Sequence, residues 1–297
     1  MDARAVLLIL LCATSLRAQE DPWTVPDPKG IVLFVKLQQN PTKAYTVVPS
    51  GKVAPGADGA ERVEPPVSPA DKEALAACRE LIAAAKHDEA SARLAELLKE
   101  NPANHDAHVL LALSLHQRGD EKAALAELRE AIVGNRRDPE AWKLLEQVAK
   151  KLGKRVVRPK LKLKGWIEAT ADGGVTLGYA DAGRDADMPW FYYVVARASY
   201  RYEGGFQRDH PAAKEYVFTF REQLFAFGAA LNAAEAAPAA KRSQELKLLI
   251  AEKKAKTLVP FLFFAAYPEP LPQQPERDWE SLKPVLEKYF DQKIIRS

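Results

Sequence analysis

Apolar residues between Asp71 and Gly153 recur three and four positions apart, the spacing that builds one face of an α-helix. Ala77, Leu81, Leu94 and Leu98, then Leu111, Leu115, Leu128 and Ile132, form a stripe broken only by short polar turns. The pattern predicts antiparallel helix pairs. Elsewhere the rhythm changes. Residues 31–35 and 45–48 are compact runs of β-branched and aromatic side chains and predict a two-stranded element. Residues 165–170 and 175–179 flank Ala171-Asp172-Gly173-Gly174 and predict a hairpin. After Pro189, the positions Phe191, Val195, Ala198 and Tyr202 return to helical spacing. Pro211 is placed to open a stronger helix with Val217, Phe220, Leu224, Phe227 and Leu231 on one face. A charged amphipathic helix follows over 239–255, and Pro260 must start or break an element. A last helix turns Leu282, Val285, Leu286 and Tyr289 inward, capped by Asp278 or Ser281, with Pro284 expected in its first turn.

Composition divides the chain. Pro49, Gly51, Pro55, Gly56, Gly59, Pro65, Pro66 and Pro69 give residues 49–70 the character of a linker. Apart from Trp23, Phe34, Tyr45 and Trp142, every aromatic residue lies within 160–297. That break places a boundary at 154–160. The predicted order is an export signal (1–18), a β-prone segment (19–48), the linker (49–70), the helical array (71–153), a basic connector (154–164) and a C-terminal domain (165–297). Hydrophobic residues make up 47% and charged residues 28%, which excludes a largely disordered chain. Forty-three basic against 40 acidic residues leave a net charge of +3, too balanced for nucleic-acid binding by bulk charge. Two cysteines, Cys12 and Cys78, exclude a disulfide-stapled scaffold and a zinc site built on cysteines.

The array repeats with a period of 34: Asp71–Asn104 aligns with His105–Asp138, and Pro139 begins a partial third copy ending near Gly153. Position 8, where two helices must cross closely, holds Cys78 and Ala112; position 20, on the second helix, holds Ala90 and Ala124. The turns read Lys86-His87-Asp88-Glu89 and Gly119-Asp120-Glu121-Lys122. These residues resemble the tetratricopeptide repeat, a 34-residue helix–turn–helix unit with this small and apolar pattern. The third copy adds the family's tryptophan at Trp142, with Leu145 and Gly153 at matching positions. The departures are Ala74 and His108 for that tryptophan, Arg136 for the closing proline, and Glu146 at the normally small position 8. The resemblance therefore implies a mainly α fold: a short tetratricopeptide-like array, then a helix-dominated C-terminal domain with a small β-hairpin. No family is recognised in residues 165–297.

The resemblance also implies a function. Stacked first helices line a groove that takes peptides or partner helices. The groove-facing positions carried onto this chain are Leu75, Arg79, Ile82, Val109, Leu113, His116, Lys143, Gln147 and Lys150. They grade from an apolar patch into a basic end, and imply a protein or peptide partner with no catalysis, cofactor or metal. The other reading fills this groove with the C-terminal domain.

From Lys150 to Lys164 eight residues are basic and none acidic. The alternation in 160–164 suits an edge strand guarded by lysines, or contact with an anionic surface. No aromatic residue interleaves before Trp166, which argues against specific nucleic-acid binding. Arg4, the apolar run 5–11 and Ala18 read as an export signal cleaved near Ala18, giving a periplasmic or secreted protein; an uncleaved anchor or a buried helix is the alternative. Chemistry elsewhere is sparse. Gly173–Gly178 lacks the lysine and hydroxyl of a phosphate loop, and Asp181, Asp185 and Asp187 lack the glycine and glutamate of a calcium loop. His105 and His108 are spaced for two metal ligands, or are ordinary surface histidines. Arg197, Arg201, Arg221 and Glu222 read as a stacked, ion-paired network. The alternative function makes the C-terminal domain a ligand-binding or hydrolytic module around Arg197, Asp209 and His210.

Overall fold

The computed structural model describes residues 8–11, 33–36, 45–50, 68–169, 175–180, 188–202, 204–211, 216, 218–266 and 279–297. The chain divides into two compact units, Met1–Glu61 with Lys160–Tyr267, and Arg62–Pro159 with Pro268–Ser297.

In the second of these, α1 (Pro69–Ala83), α2 (His87–Glu100), α3 (His105–Gln117), α4 (Glu121–Gly134) and α5 (Pro139–Lys151) follow one another with short turns. Each packs on the next, and α3 also lies against α1 and α5. The first helices start at polar caps that occupy otherwise orphaned N–H groups. Ser68 Oγ accepts from the Asp71 N–H, Asn104 Oδ1 from Ala107, and Asp138 Oδ1 from Glu140. The expected small positions are the tightest ones: Cys78 is 2% exposed, and Ala90, Ala112 and Ala124 are fully buried. Buried Leu94, Leu128 and Ile132 carry the apolar stripe between helices. The repeat also shows in the backbone. Ala85, Gly119 and Gly153, 34 residues apart, all adopt positive φ (58°, 82° and 68°) at the end of a first helix. The next N–H in each case bonds back five residues, Lys86 to Leu81, Asp120 to Leu115 and Lys154 to Ala149, at 2.8–2.9 Å. This is the left-handed helix stop glycine favours, and alanine tolerates it in the first copy.

The third copy has no second helix of its own. After β4 (Arg155–Val156) the chain leaves the array, and the unit is completed by α11 (Trp279–Tyr289), a π-helical turn (Phe290–Ile294) and β7 (Ile295–Arg296). β7 pairs antiparallel with β4, Arg155 opposite Arg296 and Val156 opposite Ile295. Helix α11 packs on α4, where Lys283 Nζ lies 2.8 Å from Glu130, and Arg129 lies 3.3 Å from Asp291 beyond its end. Leu282, Leu286, Phe290 and Ile294 are fully buried. The last helix thus belongs with the repeats, not with a domain spanning 165–297. Pro284 sits inside α11 rather than in its first turn, and Ser281 lies within the helix instead of capping it; Asp278 is outside the described residues. The proline deprives only the Glu280 carbonyl of a partner, and Glu280 is exposed. The lysine-guarded edge strand expected at 160–164 does not form: β7 is two residues long and pairs only Arg155 and Val156.

The other unit holds β1 (Leu8–Leu11) paired antiparallel with β2 (Leu33–Lys36), and a three-stranded sheet of order β3-β6-β5. In that sheet β5 (Gly165–Ala169) and β6 (Val175–Ala180) form the expected antiparallel pair, and β3 (Tyr45–Ser50) runs parallel to β6. The two N-terminal runs therefore do not pair with each other. Each finds a longer-range partner, which local residue type does not specify. Trp166 lies directly across from Gly178, and a Cβ there would collide with its indole ring. Helix α6 (Met188–Tyr202) packs on β5 and β6 and on α8 (Phe220–Ala236), so it is buried almost all round. A short α7 (Gly205–Asp209) separates them. α8 starts at Phe220, capped by the Thr219 hydroxyl, and not at Pro211. α9 (Gln244–Lys254) and α10 (Leu258–Ala265), with Pro260 in its first turn, complete the unit. Edge-to-face pairs of Trp190 with Phe227 and Phe220 with Phe263 fill its core. Among the described residues no helix is long and apolar enough to cross a membrane.

Two outcomes follow from the packing. Ala112→Leu forces three more carbon atoms into a closed helix crossing and should cost about 1–3 kcal/mol in denaturant titration, against near zero for the same change at exposed Ala76. Leu286→Ala should cost about 2–5 kcal/mol and accelerate amide exchange in α4, because a buried leucine of α11 covers the array. Unchanged α4 exchange would detach α11 from the repeats.

Candidate interaction surface

The nine positions carried over from the repeat pattern separate into three groups: buried, half-buried and open. Leu75 (2% exposed) and Ile82 (8%) are core, packed with Cys78, Ala90, Leu94 and Leu97 and against Ala107, Leu110 and Leu111. The reason is end position. α1 has helices on one side only, so its apolar stripe at 75, 78 and 82 turns onto α2 and α3 instead of lining a face. Leu113 is half-buried against the same core, and Val109 is half-buried. His116 Nδ1 lies 2.6 Å from Glu121 Oε2, which accepts, with both side chains less than a fifth exposed. The open positions are Arg79, Lys143, Gln147 and Lys150.

These open side chains lie on the first helices α1 and α5, each of which neighbours α3, and their charges are unequal along the face. Arg79 is partly neutralised by Asp106 at 3.6 Å. Lys143 is a loose 3.9 Å from Glu140. Lys150 and Lys151 end α5, where they complement the helix dipole, and Lys154, Arg155 and Arg158 follow directly. None of these last five has a carboxylate within 4 Å among the described residues. Arg158 stacks 4.6 Å over the Trp142 ring, and Arg155 faces Arg296 across the β4–β7 pair, a like-charge opposition that costs free energy. The array ends in unneutralised positive charge.

Sequence reasoning missed the internal polar ties. Arg136, noted only as a departure from proline, is 5% exposed, and its carbonyl accepts the Trp142 indole N–H at 2.7 Å. His105 and His108 are half-buried and not surface residues. They contact Asp138 at 2.8 Å and Glu127 at 2.7 Å, and no group of three metal-binding side chains exists among the described residues. Cys78 is a free thiol whose burial pushes its pKa up, so it is held unreactive. The acidic cluster Asp181, Asp185, Asp187 and the turn 171–174 lie outside the described residues.

In the other unit the expected arginine network is present. Arg197 (4% exposed) donates from Nε to Glu222 Oε1 at 3.0 Å, and the Tyr216 hydroxyl donates to Oε2 at 2.6 Å. Arg197 stacks 4.3 Å over Phe218, and Arg201 4.2 Å over Tyr216. Burial raises the Glu222 pKa, opposed by Arg197 and Tyr216. Asp209 accepts from Tyr200 at 2.8 Å, and burial lowers the His210 pKa against the pull of Asp209. Desolvation offsets most of the Coulomb gain of such a pair, but stranding one partner is costly. Glu222→Ala should therefore destabilise this unit by about 3–5 kcal/mol in urea titration, and Glu222→Gln by less. A loss under about 1 kcal/mol would mean that water replaces the carboxylate freely.

No curated protein and no solved structure matches the chain. A family comparison does match, over residues 81–148, and its description is the tetratricopeptide repeat. The matched stretch contains the small positions Ala90, Ala112 and Ala124 and two of the left-handed helix stops. Residues 81–148 are a tetratricopeptide repeat segment.

Proposed function

We propose that the repeat segment is a protein-interaction scaffold whose α1–α3–α5 face takes an acidic, partly apolar segment of a partner, and that the chain is exported by its N-terminal apolar run. Repeats of this family generally mediate protein–protein contacts, which supports the coarse reading. The finer one rests on a single observation: in the cationic end formed by Lys143, Lys150, Lys151, Lys154 and Arg155, Lys143 has only a loose contact with Glu140 and the others have no ion pair among the described residues. Unneutralised surface charge raises the encounter rate with an opposite charge and selects against like-charged partners. Half-buried Val109 and Leu113 on α3 supply a narrow apolar contact beside it. Export is supported by Arg4, the apolar run 5–11 and the small Ala18.

Charge reversal tests the surface more cleanly than apolar truncation, because Leu113 also packs on the core. A fluorescent helical peptide with glutamates on one face and leucines on the other is titrated with the full chain by anisotropy. Lys143→Glu with Lys150→Glu should weaken binding more than tenfold, about 1.4 kcal/mol, and leave the unfolding midpoint in place. Added salt should weaken wild-type binding as well. Equal affinity of wild type and variant, or no binding by either, removes the acidic-segment reading.

A further inference from the structure

His105 and His108 stand one turn apart at the start of α3, and each ring is held from both sides. His105 Nδ1 lies 3.0 Å from the Ala131 carbonyl oxygen in α4, and its Nε2 lies 2.8 Å from Asp138 Oδ2. The other oxygen of Asp138 accepts the Glu140 N–H, so this carboxylate is also the cap of α5. His108 Nδ1 lies 2.7 Å from Glu127 Oε2 in α4, and its Nε2 lies 3.0 Å from the Pro102 carbonyl oxygen in the turn before α3. All four partners are acceptors. A carbonyl has no proton to give, and a carboxylate is ionised near neutral pH. A neutral imidazole carries one N–H and one lone pair, so it can satisfy only one of its two partners. The other nitrogen would face an acceptor with its own lone pair. An imidazolium donates to both.

The geometry points to a proton-dependent clamp: doubly protonated His108 fastens α3 to α4 and to the turn between repeats, beside the ties of His105 to α4 and to the cap of α5, so that raising the pH loosens the array. The surrounding charges agree. α4 presents Glu127 and Glu130 to His108, Glu130 being shared with Lys283 and Arg129. The start of α5 presents Asp138 to His105. On α1, Arg79 pairs with Asp106, and α2 meets α3 through Ser91 and Ser114, which carry no charge. Beyond the far end of α3, Arg118 reaches Asp88 of α2. The side chains of His105 and His108 are 16% and 12% exposed, so bulk water does little to replace a lost bond. Burial opposes the charge on His108. The hydrogen bonds to Glu127 and Pro102 and the field of Glu127 and Glu130 outweigh it, and hold the ring above the ordinary histidine value. A group that binds its proton more tightly when folded contributes fully below its unfolded value, about 6.5, and the contribution fades as the pH climbs through the folded value.

The test uses the full chain. Nitrogen-resolved NMR at about pH 7 should find both ring nitrogens of His108 protonated, where a free histidine is mostly neutral. Amide exchange in α3, corrected for its intrinsic pH dependence, should be about tenfold faster at about pH 8.5 than at about pH 6, equivalent to about 1.4 kcal/mol. In the double variant His105→Gln, His108→Gln that excess pH dependence should vanish. A bare nitrogen on the His108 ring at neutral pH, or an α3 pH dependence that survives the double variant, overturns the clamp. If the variant does not fold, the wild-type nitrogen signals decide alone. Failure of peptide binding to the α1–α3–α5 face would leave these readouts unchanged.

Discussion

Close approach between helices at 34-residue intervals is the constraint on which the repeat unit rests. Cys78, Ala90, Ala112 and Ala124 are all at most 2% exposed, and each stands where a neighbouring backbone passes. A larger side chain there would push two helices apart and open the apolar contacts of Leu94, Leu128 and Ile132 along the whole crossing. The same constraint sets the ends of the first helices. To return a second helix at the right angle, the chain must leave α-helical space at one residue, and Ala85, Gly119 and Gly153 do so in register. Alanine in the first copy accepts a cost of about 1 kcal/mol that glycine avoids in the other two.

A stack built this way exposes apolar surface at its last member, because each helix expects a neighbour. α5 is followed by no second helix, and α4 would be bare on that side. α11 supplies the cover, with Leu282, Leu286, Phe290 and Ile294 buried and the β4–β7 pair fastening its far end. The ion pair of Lys283 with Glu130 adds orientation more than energy, since both groups are partly exposed and such pairs contribute about 0–1 kcal/mol. At the first member the same problem is met differently. α1 turns Leu75, Cys78 and Ile82 inward and leaves alanines and polar side chains such as Lys72, Arg79 and Glu80 outside.

Polar groups serve three distinct ends in this chain. Inside the repeats, imidazoles and carboxylates tie helices across the array where an aliphatic pair would give no direction. In the other unit Arg197 and Glu222 are removed from water and bond each other, with half-buried Tyr216 donating to Glu222, which ties α6 to α8. At the end of α5 the lysines and arginines are left exposed and unpaired among the described residues. Exposed cations of this kind attract opposite charge from solution.

The helical array was legible in the sequence because its determinants are local and repeated. Helical spacing, small residues at positions 8 and 20 and the left-handed stops are each dictated by contacts within one or two units. The hairpin of β5 and β6 was legible for the same reason, its partners being a turn apart. Tertiary structure alone decided the rest. β3 pairs with β6 from 130 residues away, and α11 returns to the repeats across the whole other unit. Nothing in the composition of either segment names its partner, since any strand edge or apolar stripe is satisfied by many others. The site positions divide on the same line. Arg79, Lys143, Gln147 and Lys150 are exposed as the repeat register places them, whereas Leu75 and Ile82 are buried because α1 is an end helix, and being an end is a property of the assembled stack. The histidine pair shows the limit most plainly. Sequence presents His105 and His108 three residues apart; only the fold brings Ala131, Asp138, Glu127 and Pro102 to their four nitrogens.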